Sequence, residues 1–75
     1  MNKPRFNKAT LELAAQIVFE YPDWDSAHIS DMMATYRESG DKAPCTADQL
    51  EDACNLVQKQ KSAGADFQTA VANLS

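Results

Sequence analysis

Apolar residues recur at helical spacing in four separate segments of this chain, and nowhere do they alternate with polar ones over the length of a strand. That pattern restricts the fold to packed helices. The first segment, Lys8 to Glu20, is the extreme case. From Leu11 onward, Leu11, Leu13, Ala14, Ala15, Ile17, Val18 and Phe19 leave only Glu12, Gln16 and Glu20 polar, and their spacing by four makes one narrow wet stripe. A helix apolar around the rest of its circumference has to be covered on more than one side. Asn7 is placed to cap its start. Pro22 ends it, because the residue before a proline is biased away from the helical region.

In the second segment, Ser26 to Ser39, Ile29, Met32, Met33 and Tyr36 fall at i, i+3, i+4 and i+7. Asp25 or Ser26 can cap it, and Gly40 suits the left-handed position after its end. Residues 41–45 then read as a loop. The third segment opens on Thr46 and Gln49, a T-x-x-Q capping box, with Cys45 and Leu50 spaced as a hydrophobic staple. Its stripe of Ala47, Leu50, Ala53, Cys54 and Val57 is mostly small, which allows close approach of another helix. Lys59 and Lys61 suit its last turn, and Gly64 stops it. The fourth segment runs from about Asp66, its cap, to Leu74, with Phe67, Ala70, Val71 and Leu74 as its stripe.

The expected fold is therefore all-α: a small compact bundle of three main helices plus a short C-terminal fourth helix. It forms a single helical domain over residues 1–75, with residues 1–6 as a loose tail that Phe6 can tie down. A chain this short buries roughly 60% of its unfolded surface, so the core is thin. Leu13, Ile17, Met33, Leu50 and Val57 are expected inside it. No apolar run approaches the ~20 residues that a membrane span needs. No apolar stretch follows the charged start as a secretory signal would require, which points to the cytoplasm.

The charges are sorted by position. Between Ala9 and Gln58 there are ten acids and two bases, Arg37 and Lys42, a local net of −8 within a chain of net −4. Because the helical stripes run through this stretch, the charge belongs to a folded surface. It disfavours nucleic acid and favours a protein partner with a basic surface.

No arrangement of residues matches a catalytic or metal site. His28 is the only histidine, and its neighbours Asp25 and Asp31 suit a local cap better than a general base. Counted from Asp23, a calcium loop would need glycine at His28 and an acid at Ala34. Zinc needs about four nitrogen or sulfur ligands, and only His28, Cys45 and Cys54 are on offer. Those two cysteines lie about 12 Å apart if Cys54 is two turns into a helix, too far for a disulfide, so both read as reduced. Gly40 and Gly64 each stand alone at a helix end, where capping accounts for them. No cofactor is implied.

The leading functional expectation is a non-enzymatic interaction module, an adaptor or inhibitor that acts by binding another protein. A free-standing acidic chain of this size suits a regulator encoded by a phage or plasmid. If the second and third helices run antiparallel, Glu38 and Asp41 converge with Asp48, Glu51 and Asp52 at one pole, a candidate binding edge. Phe19, Trp24 and Leu56 fall off or between the main stripes and are the candidate apolar anchors. The large apolar surface of the first helix leaves room for a homodimer. The alternative is a DNA-binding or transcription-associated regulator that uses the third and fourth helices as a helix-turn-helix. Its recognition helix would offer Gln68, Thr69 and Asn73 with no arginine or lysine, a meagre footprint on phosphate.

Overall fold

Each helix begins on a side chain that accepts one of its otherwise unpaired N–H groups. The computed structural model describes residues 6–74. Asn7 Oδ1 takes the Thr10 N–H at 2.7 Å and opens α1, Lys8–Glu20. Asp25 Oδ1 takes the His28 N–H at 3.0 Å and opens α2, Ser26–Ser39. Thr46 accepts from the Gln49 N–H at 3.2 Å while Gln49 Oε1 accepts from the Thr46 N–H at 3.0 Å, a complete capping box at the head of α3, Ala47–Ser62. Asp66 Oδ1 takes the Thr69 N–H at 2.8 Å before α4, Phe67–Leu74. Among the described residues there is no strand.

Two glycines stop helices for a conformational reason. Gly40 ends α2 at φ 79°, in the left-handed region that side chains other than glycine's disfavour. Gly64 stands at φ 101° after α3. Its N–H reaches Lys61 O and the Ala65 N–H reaches Gln60 O, both at 3.0 Å, which is a Schellman motif. The turn into α4 is thereby set by backbone hydrogen bonds as well as by the Asp66 cap.

The core sits between α1, α3 and α4, which all pack on one another. Leu11, Ala14, Ala15, Ile17 and Val18 of α1 are buried, and Leu50, Ala53, Cys54 and Val57 of α3 face them. The small residues let the two helices approach so closely that Cys54 Sγ lies 3.9 Å from the Ala14 carbonyl oxygen. Ala70 and Val71 of α4 close the third side. The α2 backbone approaches α3 and no other helix, although Ile29 and Met33 still reach the common core.

Leu13, expected in the core, is only half-buried. α3 and α4 cover α1, but α2 stays away from it, so the flank bearing Leu13 keeps partial contact with solvent. At the other end Phe6 is buried in the core cluster. The remainder of the expected tail, residues 1–5, lies outside the described residues. Thr10, the one buried polar residue among those described, has its hydroxyl 2.8 Å from Asn7 Oδ1 and 3.5 Å from the Pro44 carbonyl. Asn7 Nδ2 also donates to that carbonyl at 3.2 Å, so the loop before α3 is fastened to the start of α1.

Candidate functional site

The acidic residues lie where a partner can reach them. Of the ten acids between Ala9 and Gln58, nine are exposed and only Glu51 is half-buried. Asp48 and Asp52 stand on the first turns of α3, Glu38 on the last turn of α2, and Asp41 in the loop between. Asp41 Oδ2 accepts from the Ser39 hydroxyl at 3.3 Å, which holds it against the end of α2.

Glu51 is separated from Glu38. Its Oε2 accepts from the Ser26 hydroxyl at 2.9 Å, so the first turn of α2 lies beside the second turn of α3. Glu38 lies twelve residues beyond Ser26, about 18 Å further along α2 at 1.5 Å per residue. The acidic surface is thus spread along the α2–α3 pair rather than gathered at one pole.

The three candidate anchors are all half-buried and packed against the core. Trp24 donates its indole N–H to Gln58 Oε1 at 3.3 Å, which pins the α1–α2 turn to α3. Leu56 rests against the core from α3. Phe19 meets Phe67 with ring centroids 6.1 Å apart and a tilt of 59°. The Lys61 ammonium stands 5.5 Å over the Phe19 ring and 3.4 Å from the Val18 carbonyl oxygen.

Among the described residues, the large apolar side chains most open to solvent are two others, Tyr21 at 48% exposure and Phe67 at 37%. Tyr21 directly precedes Pro22 and leaves the helix at φ −127°, ψ 80°, so its ring projects from the turn and lies against His28 with centroids 4.7 Å apart. Its place before the proline was the available signal. Phe67 is the first residue of α4 and has no preceding turn of that helix to shield it.

Both cysteines are free thiols. Burial, and after it the neighbouring Cys45 and Glu51, push the Cys54 thiol up to about 12. The Asp66 carboxyl is held below its ordinary value by the hydrogen bonds from the Thr69 N–H and then the Thr69 hydroxyl. Among the described residues no group of three or more His, Cys, Asp or Glu side chains is arranged to hold a metal ion. No helix among them is long and apolar enough to cross a membrane.

Among the described residues, two of the cavities adjoin α1. A small one of about 60 Å³ lies under Phe6, Thr10, Pro44 and Cys45. A groove of about 570 Å³ lies between α1 and α4, lined by Lys8, Glu12, Phe67, Gln68, Val71 and Ala72. Compared with family models, curated proteins and solved structures, the chain matches none.

Proposed function

We propose that this chain is a non-enzymatic interaction module that binds a protein with a basic surface through the acidic residues along α2 and α3. The observation that carries this reading is the exposure of nine of the ten acids in a stretch with only two bases. A one-sign field on a folded surface raises the encounter rate with an oppositely charged partner and repels nucleic-acid phosphate. Glu38, Asp41, Asp48 and Asp52 supply the charge. Tyr21, exposed and flanked by Glu20, Asp23 and Asp25, supplies an aromatic anchor in place of the half-buried Phe19, Trp24 and Leu56.

The helix-turn-helix reading has less support. α4 carries no arginine or lysine, and the Asn73 amide that would face a base edge donates to Gln60 Oε1 at 2.9 Å. Affinity capture from source-cell lysate, followed by mass spectrometry, separates the two readings. The wild-type chain retains proteins with basic surfaces, and a Glu38→Lys, Asp48→Lys double variant loses them. Co-purifying DNA that survives the double reversal would favour the second reading.

A further inference from the structure

The groove between α1 and α4 differs in charge from the rest of the molecule. α4 carries no charged side chain. The two charged residues lining the groove are one base and one acid, Lys8 and Glu12, one turn apart on α1. Among the described residues neither has an ion-pair or hydrogen-bonding partner through its side chain. The apolar wall is Phe67, Val71 and Ala72, with Phe67 37% exposed.

Two copies of a chain of net −4 repel one another over most of their surfaces. The α1–α4 groove offers them a meeting place whose lining charges, Lys8 and Glu12, balance. A groove of balanced charge gives a strongly basic partner no advantage, whereas a two-fold interface needs a patch complementary to itself. This patch has both halves of such a match: a cation and an anion on one edge, and an exposed ring beside an apolar hollow.

We infer that the α1–α4 groove is the docking site of a second copy of this chain, across a two-fold axis that sets Lys8 of each copy against Glu12 of the other. The Phe67 rings of the two copies fill the apolar hollow between them. The surface is small, so the association is concentration-dependent and weak. It leaves the acidic residues of α2 and α3 outward on both copies, and it does not depend on what those residues bind.

Sedimentation equilibrium of the full chain, from micromolar to millimolar concentration, tests this. The wild type follows a monomer–dimer equilibrium. Lys8→Glu and Glu12→Lys each put like charges together twice per dimer and raise the dissociation constant about tenfold. The combined K8E/E12K chain restores it to within about threefold, because the pairing is only exchanged. Ala72→Arg, at an exposed position on α4, abolishes the dimer, and circular dichroism checks that each variant keeps its helices. A chain monomeric at every concentration overturns the inference. So does a dimer indifferent to Ala72→Arg and to both single swaps, or a double swap no better than the single ones.

Discussion

The Lys61 ammonium of α3 stands 3.4 Å from the carbonyl oxygen of Val18, in the last turn of α1. α1 has no basic residue in its own last turn, so the cation that complements its dipole comes from another helix. The same ammonium lies over Phe19, whose ring meets Phe67 of α4. One side chain therefore links the ends of α1 and α3 to the start of α4.

Lys61→Ala should cost about 1–2 kcal/mol, from the lost carbonyl contact, the lost cation–π contact and the lost packing of the aliphatic stem. Lys59→Ala, in the same last turn of α3 but exposed, should stay within about 0.5 kcal/mol. Urea unfolding of both variants checks this. Equal losses would mean that only the α3 dipole matters and that the link to α1 contributes nothing.

Cys54 makes stability depend on alkaline pH. Its folded-state value is raised from 9.0 to about 12, so above pH 9.0 the unfolded chain releases the thiol proton while the folded chain keeps it. The contribution is fully present below pH 9.0 and is lost as pH rises towards 12, at up to about 1.4 kcal/mol per pH unit. Denaturation midpoints measured from pH 8 to 10.5 should fall more steeply for the wild type than for Cys54→Ala. In the native state at pH 8, a thiol reagent should modify Cys45, which is half-buried, well before Cys54. Parallel pH slopes for the two proteins would contradict the assignment.

The helix ends were legible because they rest on local chemistry. Asn7, Asp25, Thr46 with Gln49, Asp66, Gly40 and Gly64 each act within a few residues of themselves, and each caps or stops the helix read from it. Which neighbour covers a stripe is a non-local matter, and there the reading was less complete. Phe67 lies on the apolar stripe of α4 and Leu13 on that of α1, yet both keep access to solvent because no further helix reaches them. The hydrogen bond between Ser26 and Glu51 spans 25 residues and sets how α2 lies on α3, which no spacing pattern contains. The exposure of the acids, in contrast, followed from their composition and spacing.

The capping box should be measurable by itself. Thr46→Ala leaves the Gln49 N–H without its acceptor and should cost about 1 kcal/mol, with Thr46→Ser close to neutral. The same loss from both substitutions, read as thermal midpoints, would assign the effect to the threonine methyl group rather than to the hydrogen bond.

The two apolar positions Ile17 and Leu13 should separate sharply. Ile17 is fully buried and Leu13 half-buried, four residues apart on α1. Ile17→Ala should cost about 2–5 kcal/mol, close to everything a core of this size supplies, and Ile17→Asp should leave the chain unfolded. Leu13→Ala should cost about 1 kcal/mol, since much of that side chain meets water already. A cooperative thermal transition that survives Ile17→Asp unchanged would refute the packing of α1 described above.

The association rate with the captured protein partner, followed against ionic strength, tests the proposed function most directly. Wild-type chain should associate about tenfold more slowly when salt is raised from low to physiological concentration. The Glu38→Lys, Asp48→Lys variant should associate slowly at every salt concentration while keeping its thermal transition. A rate that neither salt nor the double reversal changes would contradict the account, because the exposed acids of α2 and α3 would then take no part in binding.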